Sequence, residues 1–137
     1  MPPELEEVRC WFGKAAHDRR TAELALTPDP PLTDTAAYHV QQAAEKVLEA
    51  YLAWRRHEFE KTRDLRALIE LCAEYDAAFL DHRDAIEPLT AYAVRFRYPG
   101  PADPSVKEVR EALQVVGEVW QFVTDRLPPE VVPGNDE

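Results

Sequence analysis

Apolar residues recur at Ala37, Val40, Ala44, Val47, Leu48 and Tyr51. This is the alternating three-and-four spacing of a helix that buries one continuous stripe. The other side of that helix carries Gln42, Glu45, Lys46 and Glu49, with Tyr38 and His39 at its borders. The same period predicts an earlier helix over 4–26, with Leu5, Val8, Trp11, Phe12, Ala15, Ala16, Ala22 and Leu26 on one side. Arg19 interrupts that stripe. Its stem packs while its head reaches water, or it is a cation aimed at a shared cleft; the first reading is preferred. Between the two helices TPDPPLTD (Thr27–Asp34) is a proline-rich connector, and Thr33 or Asp34 is the predicted cap of the second helix, which runs to about Arg56.

Thr62 is the predicted N-cap of a third helix with Leu65, Leu68, Ile69 and Cys72 on its inner face. A fourth helical segment covers roughly 77–97, with Ile86, Leu89, Ala93 and Phe96 inward; Pro88 kinks it or starts its second part. His82 lies near that stripe and reads as a structural histidine. RYPGPADP (Arg97–Pro104) breaks the chain, and Ser105 caps a last helix to about Leu127. Val106, Val109, Leu113, Val116, Trp120 and Val123 form its main face, and Ala112, Val115, Val119 and Phe122 widen the apolar arc. An arc of that width predicts a second contact, most simply a subunit interface. The tail after Leu127 is predicted to fray.

No period-two pattern and no repeat occurs in the 137 residues. The fold class is therefore all-α, an antiparallel up-and-down bundle of four to five helices in one domain, 1–137, with order expected over roughly 4–127.

Composition narrows the function classes. The chain is 45% hydrophobic and 31% charged, which suits a soluble bundle. Its net charge of −10 argues against non-specific binding to DNA or to a membrane surface. No apolar run is long enough to span a bilayer and MPPELEEVR does not read as a signal peptide, so a cytoplasmic location is expected. Cys10 and Cys72 form no CxxC pair and read as reduced, incidental thiols. Residues 55–66 hold five Arg or Lys against three acids, the most basic window of the chain. The plain account of that window is a solvated helix end facing a C-terminal dipole.

Glycine-rich phosphate loops, paired ExxH motifs and zinc-ligand spacings are all missing, and the single serine, Ser105, sits at a helix cap. No cofactor, metal site or nucleophilic catalyst is expected. Four segments nevertheless stand in a recognisable order: WFGKAAHD (Trp11–Asp18), YHVQQAAEKVLEAYL (Tyr38–Leu52), FEKTRDLRALIEL (Phe59–Leu71) and RFRYPG (Arg95–Gly100). Together they resemble the HEPN family, helical bundles named for a nucleotide-binding domain of higher eukaryotes and prokaryotes. The likeness covers nearly the whole chain except its ends. It implies a homodimer, often acting with a minimal nucleotidyltransferase, in some cases as a toxin–antitoxin pair.

Two departures from the family pattern bear on function. Arg63 stands where the family commonly has the histidine of KTH. Family members that cut RNA carry an arginine followed four to six residues on by a histidine. Here Arg97 is followed by none, since His82 is the last histidine. Metal-independent cleavage needs an acceptor for the 2′-hydroxyl proton and a donor for the leaving oxygen, so the usual family mechanism lacks a partner.

A binding reading remains. Arg95, Arg97 and Tyr98 precede a proline turn, and Lys61 and Arg63 precede the third helix. Guanidinium groups grip phosphate in a forked geometry, and tyrosine stacks or donates. Lys14, Gln42, Glu45 and Lys46 complete the expected ligand set, for a nucleotide or another anionic ligand. The competing reading has Gln42, Glu45 and Lys46 joining helices through hydrogen bonds and Arg97 pairing with a carboxylate. The alternatives in function are a metal-independent RNase toxin with an atypical acid–base set and a purely structural dimerisation module.

Overall fold

The computed structural model describes residues 2–58, 64–93 and 103–132. Three long helices form the frame: α1 (Pro3–Ala25), α2 (Thr33–Trp54) and α5 (Val106–Thr124). Between α2 and α5 lie α3 (Leu65–Ala73) and α4 (Arg83–Ile86), the latter flanked by 3₁₀ turns at Ala77–His82 and Glu87–Ala93. No strand occurs among the described residues.

Pro3 at the first helical position and Glu4 and Glu6 in the first turn suit the N-terminus of α1. The helix stops at the proline-rich connector, which the Leu32 N–H closes by donating to the Ala25 carbonyl at 2.8 Å. α2 therefore returns antiparallel to α1. Trp120 of α5 meets Phe12 and Arg19 of α1, while Arg110 and Leu113 line one cleft with Glu23 and Leu26. Residue numbers fall along α5 as they rise along α1, so this pair is also antiparallel.

α2 is the central element. Fourteen of its residues are buried, on every side of the helix rather than along one stripe. The core gathers Phe12, Leu48, Tyr51, Leu52, Leu65, Leu68, Ile69, Phe79, Ile86 and Val116, all at 0% exposure. Tyr51, Phe79 and Phe122 form an aromatic line, with centroids 4.6 Å and 4.8 Å apart. Cys72 is buried as expected, and burial pushes its thiol well above the ordinary range.

Several boundaries differ from the sequence expectation. Thr33 and Asp34 lie inside α2, whose N-cap is Leu32 with no side-chain cap. α3 is capped by Asp64, whose carboxylate accepts from the N–H groups of Arg66 and Ala67 at 3.0 and 3.3 Å; Thr62 lies outside the described residues. The fourth segment is no continuous helix. Pro88 has no N–H to give to an α-helical ladder, and the chain around it tightens into 3₁₀ turns. The inward positions assigned to Ala93 and Phe96 lie outside the described side chains.

On α5 the Ser105–Glu108 capping box starts the helix as its serine predicts. The buried stripe, however, is Val109, Ala112, Val116, Val119 and Val123. It runs between the predicted main face and its extension, and leaves Val106, Leu113 and Trp120 half-buried. The tail also departs from expectation at its start. Pro129–Val131 forms a 3₁₀ turn with Val131 at 0% exposure, and Arg9 Nη1 donates to the Glu130 carbonyl at 3.3 Å. Leu127 and Val131 continue the apolar stripe of α5, which is why this stretch docks rather than frays.

Gly13 sits mid-helix in α1 with nothing within 4 Å of the place where a Cβ would stand. Gly13→Ala is expected to raise stability by about 0.5–1 kcal/mol through helix propensity. Urea denaturation of the two proteins checks this, and a destabilised variant would show that the helix surface there is not open.

Candidate functional site

The polar side of α2 faces other parts of the protein rather than water. Asp18 of α1 falls on that helix's own apolar stripe, with Val8, Phe12, Ala15, Ala22 and Ala25, and is 5% exposed. A buried carboxylate needs partners, and α2 supplies two. His39 Nδ1 lies 2.8 Å from Asp18 Oδ1, and Lys46 Nζ lies 2.5 Å from Asp18 Oδ2. One carboxylate thereby holds two residues seven positions apart on α2. The imidazole and ammonium are about a quarter exposed (26% and 24%), so each still borders water.

Beside this cluster runs a second polar group. Gln41, Gln42 and Glu45 are all buried, at 0%, 8% and 2% exposure. Gln42 Nε2 donates to Gln41 Oε1 at 2.7 Å, and both amides lie near Glu45 Oε2, at 3.5 Å from Gln41 and 3.4 Å from Gln42. One turn further on, Glu49 is at 0% exposure and lines a cleft of about 490 Å³ with Glu4, Glu7, Trp11, Ala53, Arg56, His57 and Glu58.

The described part of the basic window is engaged within the chain. The Arg55 guanidinium lies over the rings of Trp54, Tyr75 and Tyr51, at 4.7, 5.5 and 5.6 Å from their centroids, and its Nε donates to the Tyr51 hydroxyl at 3.2 Å. Arg56 adopts a left-handed backbone with φ of 56° and reaches to 3.6 Å from Glu4. Arg66 pairs with Glu70 at 2.9 Å and Glu87 at 3.5 Å. Nearby, Arg126 lies over Phe122 at 3.4 Å and donates through Nε to Asp76 at 2.7 Å. That guanidinium holds the Asp76 carboxyl below its usual range, with the Ala78 N–H assisting.

The candidate ligand set therefore divides. Gln42 and Glu45 meet in one buried network, and Lys46 is joined to Asp18 and His39. Lys14 is exposed on α1, one turn before Asp18, and is not part of either cluster. Lys61, Arg63, Arg95, Arg97 and Tyr98 lie outside the described residues. Arg19, read as a packed stem, lies over the Trp120 ring at 5.2 Å and pairs with Glu23 at 3.7 Å. His82 packs edge-on against Phe122, with centroids 4.6 Å apart, as a structural histidine would. Sequence reasoning had singled out neither Asp18 nor Gln41. The signal for Asp18 was available, since an acid at a core position of a helical stripe calls for a buried partner.

No group of three or more His, Cys, Asp or Glu side chains among the described residues is placed to hold a metal ion. No described helix is long and apolar enough to cross a membrane. What the described arrangement does is position: a carboxylate orients an imidazole and an ammonium, and amides orient a buried glutamate.

No curated protein and no solved structure matches the chain. The HEPN domain family model matches residues 8–127, which takes in the five helices almost entirely. Together with the all-helical architecture and the α2 segment at its centre, that match establishes that the chain belongs to the HEPN domain family.

Proposed function

We propose that this chain is a non-catalytic HEPN domain that binds a nucleotide or another phosphate-bearing anion. It works as a homodimer and as the partner of a minimal nucleotidyltransferase, in the manner of a toxin–antitoxin pair. The observation that carries the reading is the lack of any histidine after Arg97, which leaves a phosphate-gripping arginine without the proton-transfer group that cleavage needs.

The junction of α3 with the second 3₁₀ turn supports it. The Leu65 N–H donates to Thr90 Oγ1 at 3.0 Å, so the elements adjoining the two basic segments in sequence meet in the fold. Lys61 and Arg63 come immediately before that junction, and Arg95, Arg97 and Tyr98 follow shortly after it. Asp18 joins α1 to α2 through His39 and Lys46, beside the buried Gln41, Gln42 and Glu45 of α2.

Calorimetric titration of the purified protein with ATP and the other nucleoside triphosphates is the direct test. Saturable heat is expected with at least one nucleotide, and Arg97→Ala is expected to weaken it about tenfold or more, the loss typical of one charge-assisted contact. Silence across the whole set would overturn the binding reading and favour the structural dimerisation module.

A further inference from the structure

Part of the wide apolar arc of α5, from which the sequence predicts a subunit interface, is covered within the chain, while Val106, Leu113 and Val115 stay half-buried. Phe122 lies edge-on to Phe79 and His82, while Trp120 lies edge-on to Phe12 at 4.9 Å and carries Arg19 over its ring. Ala112 and Val119 are buried, at 4% and 1% exposure. Further apolar surface is left uncovered at one end of the bundle. Leu24 and Leu32 are the two most exposed large apolar side chains among the described residues, at 55% and 50%. The Leu32–Ala25 hydrogen bond that closes the connector brings Leu32 back to the end of α1 that carries Leu24. Next to this ridge, the last turn of α1 and the first half of α5 part to leave a cleft of about 570 Å³. Leu26 and Leu113 line it, with Glu23 on the α1 side and Arg110 on the α5 side.

We propose that this end of the bundle is the face through which two copies of the chain associate about a two-fold axis. The leucine ridge of each copy sits in the cleft of the other. The charges point to this occupant. One acid and one base on facing walls favour neither an anionic nor a cationic ligand. A patch that holds both ridge and cleft, and both signs of charge, is complementary to itself. A two-fold axis brings Glu23 of one copy against Arg110 of the other, and Arg110 has no carboxylate partner among the described residues. Among the described residues of one chain, the Glu23 carboxylate has only the 3.7 Å contact with Arg19. The inference rests on the homodimeric part of the proposed function and adds to it the face.

Sedimentation velocity on the full chain over roughly 1–100 µM tests it, because a micromolar dimer dissociates across that range. The wild-type chain is expected to sediment as a dimer, and Leu32→Asp as a monomer. Glu23→Arg and Arg110→Glu each weaken the dimer about tenfold or more, through like charges facing across the axis. The double variant E23R/R110E returns to within about threefold of wild type, because the swap restores opposite charges. All three residues are exposed or border the cleft, and circular dichroism confirms that each variant keeps its helices. A wild-type dimer that none of these changes moves would overturn the face and leave dimerisation standing. Single variants that weaken without recovery in the double would overturn the pairing. A wild-type monomer across the range would overturn both.

Discussion

Phe79→Ala is expected to cost about 3–5 kcal/mol, the range for truncating a fully buried aromatic ring. Phe79 is at 0% exposure, with Tyr51 on one side and Phe122 on the other. Neither neighbour is placed to collapse into the space. Tyr51 is tied to Arg55 through its hydroxyl, and Phe122 is held between the Arg126 guanidinium and the His82 ring. The cavity therefore stays open, and the cost falls toward the upper end. Against a total stability on the order of 5–15 kcal/mol, such a loss is a large fraction. The neighbouring Leu80, 42% exposed, is the control: Leu80→Ala is expected to change stability by no more than about 0.5 kcal/mol. Urea denaturation midpoints measure both. Equal effects at the two positions would contradict the placement of the aromatic line.

The second large effect is at Asp18. Asp18→Asn removes the charge that Lys46 and His39 share and leaves a neutral amide, whose oxygen accepts from Lys46 and whose NH2 meets His39 only where the imidazole Nδ1 is an acceptor. Breaking a buried ion pair from one side typically costs about 3–5 kcal/mol. Here both partners keep about a quarter of their side chains in water (26% and 24%), so they can turn outward. The expected loss is accordingly smaller, about 2–3 kcal/mol. In a double-mutant cycle Asp18→Asn and Lys46→Met should couple by about 1 kcal/mol or more, as groups in direct contact do. Strict additivity would mean that the two side chains do not act on each other.

Much of this fold was legible from spacing alone. The stripes of α1, α2 and α3 follow the three-and-four period, and Ser105 announced the start of α5. The errors have physical causes. The buried stripe of α5 is shifted because Val, Leu, Ala and Phe occupy so wide an arc that periodicity does not select its centre. The stretch 77–93 carries inward residues at Phe79, Ile86 and Leu89, whose spacing suits an α-helix as well as the mixed turns observed. Only Pro88 hinted at the difference.

The candidate site was harder to read, because an amphipathic pattern places polar residues at the surface. In α2 the polar side is covered by the rest of the fold, so Gln41, Gln42, Glu45 and Glu49 are buried. Their value lies in partners that a single helix does not reveal. Arg55 shows the same limit from the other direction: a cation in a basic window proves to be stacked among three aromatic rings.

The central claim is that this HEPN chain binds its nucleotide or anionic partner without cutting RNA. It is tested most directly by incubating the purified protein with end-labelled RNA in the presence of a chelator, beside Arg97→Ala. The account predicts intact RNA in both samples. Cleavage by the wild-type chain that persists in chelator and vanishes in Arg97→Ala would contradict it and establish a nuclease with an atypical acid–base set.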